Sequence, residues 1–134
     1  MRVFLDTNVL VSAYATRGLC SDVLRLILSE HDLLTAEVVL EELERILSTK
    51  IKLSPTVIEE TITFLRQYHV EPKPRELLPI QVADPDDAWV LASAVKAEAD
   101  VLITGDPDLL SIATEVEEVR IVNPRGFWEM HRAR

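Results

Sequence analysis

The apolar residues of this chain fall into short uninterrupted runs that alternate with longer amphipathic segments. The short runs lack polar alternation, which is typical of parallel strands covered on both faces. The longer segments carry apolar residues at helical spacing, and some begin at capping pairs such as Ser54-Pro55 and Asp84-Pro85. The pattern predicts strands at 2–5, 33–35, 101–103 and 119–122, helices at 9–15, 21–29, 36–48, 54–67 and 84–97, and a short helix that begins at 106.

Strands and helices that alternate in this way predict an α/β fold of three layers, with a central parallel sheet between two layers of helices. Pro72, Pro74 and Pro79 predict an extended stretch before the helix at 84–97. No repeat, low-complexity tract or linker divides the 134 residues, a length sufficient for one substantial core. We therefore expect a single domain over residues 1–134.

The composition indicates which partners and which cellular setting to expect for this protein. With 14 Lys+Arg against 23 Asp+Glu, the net charge of −9 disfavours broad adhesion to nucleic acid. It does not exclude a nuclease, because acids concentrated in one metal site contribute to the excess. The single cysteine, Cys20, predicts a reducing, cytoplasmic setting. No apolar stretch approaches the roughly 20 residues that cross a bilayer, so neither a membrane anchor nor a signal peptide is expected.

Acidic residues follow two of the predicted strands. Asp6 comes directly after the first strand, and Asp106 follows the strand at 101–103 through a Thr-Gly turn. Because the carboxyl ends of parallel strands meet at one edge of a sheet, we expect these two carboxylates to share that edge. Each is also a good helix N-cap residue, so neither acid alone indicates chemistry.

A third acidic block, Asp84-Pro85-Asp86-Asp87, opens a predicted helix. Capping and the helix dipole account for the first acids of this block but less well for Asp87. Asp87 lies four residues before Leu91, on the apolar stripe of the helix, so its carboxylate is expected on the buried side. An ionised group there needs a partner, and a metal ion is one such partner.

The helix at 36–48 carries three neighbouring glutamates. With Leu43 at the centre of the apolar stripe, Glu41 points to solvent, whereas Glu42 and Glu44 lie at the two margins. A solvated surface accounts for any one of these glutamates taken alone. The periodicity therefore leaves Glu42 and Glu44 as the candidate site residues of this helix and does not decide between them.

The four acidic segments carry more weight in combination. Two like charges about 4 Å apart repel by on the order of 4 kcal/mol at an effective dielectric near 20, so converging carboxylates need a cation. Sites made only of carboxylates suit Mg²⁺ or Mn²⁺, which bind a few carboxylates together with water and substrate phosphate. Such a site indicates phosphodiester hydrolysis.

The residues that carry these acids also resemble a known family. The segments are Val3-Phe4-Leu5-Asp6-Thr7-Asn8-Val9-Leu10, Glu41-Glu42-Leu43, Asp84-Pro85-Asp86-Asp87 and Leu102-Ile103-Thr104-Gly105-Asp106. In this order and spacing they resemble the PIN domain, in particular the prokaryotic branch of VapC-type toxins from toxin–antitoxin pairs. The resemblance extends from residue 2 to about 124.

This resemblance implies a PIN-like, metal-dependent endoribonuclease that uses Mg²⁺ or Mn²⁺ and has RNA as its substrate. It implies that Asp6, Glu42, Asp87 and Asp106 are the catalytic, metal-ligating acids. Asn8 and Thr104 match positions that orient the acids by hydrogen bonds, and Asp108 is expected to assist through water. The family likeness also favours a homodimer and, for a toxin, a cognate antitoxin.

Three alternatives remain beside the toxin nuclease. One is a housekeeping RNA-processing nuclease of the same family. The second is a phosphatase with Asp6 as nucleophile, which the sequence disfavours because Asn8 stands where a second aspartate is expected. The third is a binding module without catalysis, whose acids are helix caps and which predicts no stabilisation by metal.

Other polar residues have less specific interpretations. Trp89 and Trp128 are candidates for base stacking, although the sequence favours packing on a helix face or a role in a dimer for each. His31, His69 and His131 show no ligand spacing and no shared face, so all three are predicted to be surface residues. The basic residues that are candidates for RNA contact are Arg17, Arg45, Lys50, Lys52, Lys73 and Arg75.

Overall fold

The computed structural model describes residues 1–132 of the chain. Its strands are β1 (Arg2–Leu5), β2 (Asp32–Ala36), β3 (His69–Glu71), β4 (Val101–Ile103) and β5 (Arg120–Val122). Its α-helices are α1 (Thr7–Ala15), α2 (Leu19–Glu30), α3 (Glu37–Thr49), α4 (Pro55–Leu65), α5 (Pro85–Lys96), α6 (Pro107–Ser111) and α7 (Pro124–Arg132), and a 3-10 turn spans Ala113–Glu115.

The five strands form one sheet in the order β3-β2-β1-β4-β5, and every neighbouring pair is parallel. The central strand is β1, where Phe4 pairs with Leu34 of β2 and with Leu102 of β4. From β1 the chain runs outward to β3, crosses back to β4 and then continues to the other edge. Right-handed crossovers place the helices of these two halves on opposite faces of the sheet. The predicted three-layer α/β/α fold is therefore confirmed.

The core follows from the apolar runs that predict the strands. Val3, Phe4 and Leu5 of β1 are fully buried, as expected for a strand covered on both faces. The helices bury their predicted stripes against the sheet, as Leu43 does on α3 and Leu91 on α5. None of the helices within residues 1–132 combines the length and apolar character that a bilayer crossing requires.

Two elements, β3 and α7, are absent from the sequence-based prediction. Helix α4 ends at Leu65 rather than near residue 67, which leaves 69–71 free to pair with the edge of β2. Helix α7 begins at Pro124 and buries only Phe127 on its apolar side. Both elements are short and lie at the periphery of the fold, so their patterns in the sequence are weak.

The start of α2 also differs from the prediction. The helix begins at Leu19 after Gly18, two residues before Ser21, the expected first residue. The hydroxyl of Ser21 does not cap the helix. It donates instead to the carbonyl oxygens of Ala13 and Thr16, which ties α2 to the end of α1.

Candidate metal centre

The strand order creates a crevice beside β1. From β1 the chain turns towards β2, whereas from β4 it turns towards β5, so the connections leave these neighbouring strands in opposite directions. Ligands of open α/β sheets bind at such a switch point, outside the carboxyl ends of the strands. Asp6 follows β1 there, and its backbone N–H donates to the carbonyl oxygen of Ile103 at 2.9 Å. Asp106 follows β4 at the same edge.

Asp6 is buried, with only 3% of its surface exposed. Its Oδ1 accepts a hydrogen bond of 2.7 Å from the N–H of Thr7, which makes it the N-cap of α1. Its Oδ2 accepts a second, also of 2.7 Å, from the hydroxyl of Thr104. Burial raises the pKa of Asp6, the two hydrogen bonds oppose this rise, and the charge of Asp106 adds to it. The carboxylate is therefore firmly oriented in a position where negative charge is unfavourable.

Three further acids gather beside it. Asp87, Asp106 and Asp108 each contribute a carboxylate oxygen to a group in which all oxygens lie within 4.8 Å of one another. Asp106 caps α6 by accepting a 2.7 Å hydrogen bond from the N–H of Asp108, and its own N–H donates to Thr104 Oγ1 at 3.0 Å. This local geometry points the first turn of α6 towards the start of α5.

The surroundings of Asp87 disfavour a negative charge. Its Oδ2 is buried and has no hydrogen-bond partner within residues 1–132. Desolvation first, then a hydrogen bond that the protonated carboxyl of Asp87 donates to Asp106, and the charges of Asp106, Asp6 and Asp84 raise the pKa of Asp87 to about 8. A carboxylate in this position is stabilised either by a proton or by a cation.

Glu42 approaches the crevice from α3. It is half-buried, and its pKa is raised by desolvation first and then by the charges of Asp6, Asp86 and Asp84, while Arg45 opposes the rise. The neighbouring Glu41 is exposed. Glu42 is therefore the glutamate of α3 whose pKa is raised by the charges of the other acids.

We call Asp6, Glu42, Asp87, Asp106 and Asp108 the acid cluster. Helix capping uses one oxygen of Asp6 and one of Asp106, but it leaves the buried Oδ2 of Asp87 without a partner. None of the ion pairs formed within residues 1–132 includes a member of the cluster. A set of carboxylate oxygens with a buried oxygen that lacks a donor fits a hard divalent cation such as Mg²⁺ or Mn²⁺.

The remaining predicted site residues differ in their placement. Thr104 is buried between Asp6 and Asp106 and contacts both. Asn8 is exposed on the first turn of α1, and its side chain forms no hydrogen bond within residues 1–132. Asp108 lies in the tight group of acids rather than apart from it.

Sequence reasoning assigned Asp84 and Asp86 only to the start of α5. In the structure their charges also act on the cluster, since Asp84 raises the pKa of both Asp87 and Glu42 and Asp86 raises that of Glu42. The sequence does place both residues close to Asp87, with Asp84 as the N-cap of α5 and Asp86 in its first turn, and this proximity is the signal that could have indicated their effect.

A cleft of about 300 Å³ adjoins Glu42. Arg45, Lys73, Asp86 and Trp89 line it, with Val38, Glu41 and Val90. The ammonium of Lys73 lies 4.5 Å from the centre of the Trp89 ring. Trp89 is half-buried, and the segment that carries Lys73 covers part of its ring.

The acid cluster therefore lies at the switch point, where α/β proteins with an open parallel sheet bind their ligands. The family model described as "PIN domain" matches residues 2–108 of this chain. The chain belongs to the PIN domain family.

Solved structures share this fold. The chain is similar to VapBC2 from Rickettsia felis bound to a DNA fragment from the promoter, with a TM-score of 0.64, 18% identity, and coverage of 92% of this chain and 98% of the other. It is similar to a toxin–antitoxin complex from Klebsiella pneumoniae, with a TM-score of 0.64, 16% identity, and coverage of 91% and 97%. VapBC-1 from nontypeable Haemophilus influenzae gives a TM-score of 0.63, 18% identity, and coverage of 93% and 99%. No curated protein matches the chain significantly.

Proposed function

We propose that this protein is a metal-dependent endoribonuclease that hydrolyses phosphodiester bonds in RNA. In this proposal Asp6, Glu42, Asp87 and Asp106 are the ligands of Mg²⁺ or Mn²⁺. The observation that carries it is the buried Oδ2 of Asp87, which has no donor within residues 1–132 and faces further carboxylates at the switch point. Family membership supports the same chemistry.

The chain's own residues supply orientation. When bound, the divalent cation supplies Lewis-acid stabilisation of the charge that develops on the phosphate. Thr104 and the N–H of Thr7 hold both oxygens of Asp6 in place. The N–H of Asp108 fixes Asp106, so the acids are organised before substrate arrives.

The cleft beside Glu42 supports a nucleic-acid substrate. Arg45 and Lys73 place two positive charges next to the acid cluster, where they would contact the phosphates that flank the cut. Trp89 offers an aromatic surface in the same cleft for a base of single-stranded RNA.

We further propose that the protein is the toxin of a type II toxin–antitoxin pair, acts as a homodimer and is neutralised by an antitoxin protein. The similar structures from Rickettsia, Klebsiella and Haemophilus support this role, because they are toxin–antitoxin or VapBC proteins. Light scattering that gives twice the chain mass of 15.1 kDa would support the dimer.

The test of nuclease activity is cleavage of a structured RNA pool by the purified protein with Mn²⁺, with Mg²⁺ and with EDTA. We expect cleavage by the wild type with metal, none with EDTA and none by Asp6→Asn or Asp87→Asn. Glu44→Gln, which removes an exposed carboxylate of the same helix that does not line the cleft, is the matched control and is expected to cleave normally. If neither metal supports cleavage and neither changes the melting temperature, the proposal is wrong and helix capping remains the role of the acids.

The test of the toxin role is expression in a bacterial host. A toxin arrests growth, and co-expression of the protein encoded beside it restores growth. Active protein that cleaves RNA in vitro but leaves growth unaffected would instead favour the housekeeping nuclease.

A further inference from the structure

A second group of potential metal ligands lies away from the acid cluster. One ligand atom each from Glu30, His31 and His131 lies within 4.8 Å of the other two. The prediction that His31 and His131 are surface residues with no shared face is therefore wrong, because the fold brings their side chains together across 99 intervening residues. His69 is exposed on β3, as predicted.

The three residues join separate elements. Glu30 is the last residue of α2, His31 follows it and precedes β2, and His131 lies in the last turn of α7. They stand at the amino-terminal edge of the sheet. The acid cluster stands at the opposite edge, across strand β2, whose five residues span roughly 16 Å.

The side chains are held in this arrangement by contacts of their own. The rings of His31 and His131 meet edge to face with centroids 6.1 Å apart, and His31 also packs edge to face on the buried Phe127 at 5.7 Å. Nε2 of His131 lies 3.3 Å from a carboxylate oxygen of Glu30. Its Nδ1 is buried and has no hydrogen-bond partner within residues 1–132.

We propose that Glu30, His31 and His131 form a binding site for a transition-metal cation of the Zn²⁺ class. Two imidazoles and one carboxylate are a ligand set typical of Zn²⁺ with an open fourth position for water. Mixed nitrogen and oxygen ligands separate this site from the carboxylate-only cluster, which suits Mg²⁺ or Mn²⁺. Zn–N bonds of about 2.1 Å place tetrahedral ligand atoms about 3.4 Å apart, so small rotations of Glu30 and His131 complete the site.

The bound cation would anchor α7. It links residues 30 and 31 to residue 131, and a clip that closes so long a segment of chain restricts the unfolded state strongly. Helix α7 buries only Phe127, so a metal link adds a second attachment at its other end. This attachment of α7 is independent of the proposed RNA cleavage, because the site lies at the opposite end of the strands from the acid cluster.

The test is calorimetric titration of the full chain with ZnCl₂, in an Asp87→Asn/Asp106→Asn background that disables the acid cluster. We expect one Zn²⁺ per chain and a higher melting temperature with Zn²⁺. His131→Gln should weaken binding by about 10-fold or more, since even residues behind the ligands contribute factors of about 10 to 100. Glu30→Gln should weaken it in the same direction, and because Glu30 is exposed this variant tests the site without disturbing the core.

His69→Gln is the matched control. Nε2 of His69 lies 3.5 Å from Glu71, which reproduces a histidine–glutamate pair without the second imidazole. We expect this variant to bind Zn²⁺ with unchanged affinity. Co²⁺ provides a second readout, because a tetrahedral site with imidazole ligands absorbs visible light far more strongly than an octahedral oxygen site. Absence of Zn²⁺ binding in this background, or equal binding by His131→Gln and His69→Gln, would overturn the proposal and leave an ion-paired cluster.

Discussion

At the scale of single residues, Asp87 shows that a side chain suited to a metal site can lower the free energy of unfolding of the metal-free protein. Its carboxylate is partly buried beside other carboxylates, and its pKa is raised, first by desolvation, to about 8. The folded chain therefore binds a proton at Asp87 more tightly than the unfolded chain does. The stability that this proton provides is complete below the ordinary carboxyl pKa and is lost as the pH rises towards 8.

Replacing Asp87 with asparagine should raise the melting temperature of the metal-free protein at pH 8.5. Asparagine carries no charge to desolvate, and the advantage should shrink as the pH falls towards 5. Because Asp87 is only partly buried, solvent screening keeps the gain modest, at about 4 °C. Wild type should gain stability from Mn²⁺ at pH 8.5, whereas Asp87→Asn should gain much less. Thermal scans in EDTA and in Mn²⁺ measure both effects, and identical scans in EDTA would contradict the first.

Thr104 is the residue through which the two strand ends are coupled. Thr104→Val keeps the shape but removes the hydroxyl that donates to Asp6 and accepts from the N–H of Asp106. We expect a loss of about 1–3 kcal/mol in the free energy of unfolding, because buried polar groups lose their partner. Mn²⁺ affinity should fall by about 10- to 100-fold, as for other residues that orient ligands.

Thr104→Ser is the control for this change, because it retains the hydroxyl. Urea unfolding and Mn²⁺ titration of the two variants separate the hydrogen bonds from the lost methyl group. If Thr104→Ser loses as much Mn²⁺ affinity as Thr104→Val, the orienting role is wrong.

The placement of the site residues was predictable only in part. The position of Asp6 follows from the end of an apolar run, and that of Asp87 from its place on an apolar stripe. The approach of Asp108 to Asp87 depends on how the first turn of α6 packs beside α5, which no local pattern records. The meeting of His31 with His131 is likewise a tertiary effect, since their segments are remote in sequence.

At the scale of elements, prediction succeeds where burial is deepest. Strands β1 and β4 and helix α5 are long or fully buried, so their patterns are clear. Strand β3 has only three residues at the edge of the sheet, and α7 has one buried residue. With so little apolar surface, tertiary contacts decide these two elements and their sequence patterns stay ambiguous.

The start of α7 offers a test at this scale. The side-chain oxygen of Asn123 accepts a 2.7 Å hydrogen bond from the N–H of Gly126, as an N-cap does. Asn123→Ala should destabilise the protein by about 1 kcal/mol, the usual cost of losing a cap. Asn123→Ser, which can still cap, should be close to wild type in urea unfolding. Equal losses in both variants would show that capping is not what the asparagine contributes.

At the scale of the whole molecule, the net charge of −9 limits how the proposed RNA substrate can be bound. Few cations stand near the acid cluster, so binding should depend only weakly on salt. If Arg45 and Lys73 contact one phosphate each, the logarithm of affinity should fall with the logarithm of salt concentration with a slope of about −1.4 for single-stranded RNA.

Fluorescence anisotropy with the inactive Asp87→Asn protein measures this slope. Adding Lys73→Ala should reduce its magnitude by about 0.7, the share of one phosphate contact. Lys96→Ala, at the far end of α5 from Asp87, is the matched control and should leave the slope unchanged. An equal effect of the two lysine variants would rule out a specific phosphate contact in the cleft.

The sequence predicts the class of the fold, but it does not predict the order of the strands in the sheet. Apolar runs without alternation indicate parallel strands covered by helices. They do not reveal that β1 lies at the centre or that the chain reverses between β3 and β4. That reversal creates the switch point, so the site depends on a property of the whole sheet.

The extended segment between β3 and α5, which carries Lys73, has a consequence for how such proteins diversify. Four of the five acids stand at strand ends or on the first turns of α5 and α6, and Glu42 stands on α3, whereas Lys73 stands on a connection outside the sheet. In the proposed nuclease, one of the contacts to RNA therefore lies on a connection that can be exchanged without moving the acids. Grafting this connection between relatives is expected to change the RNA preference while cleavage persists.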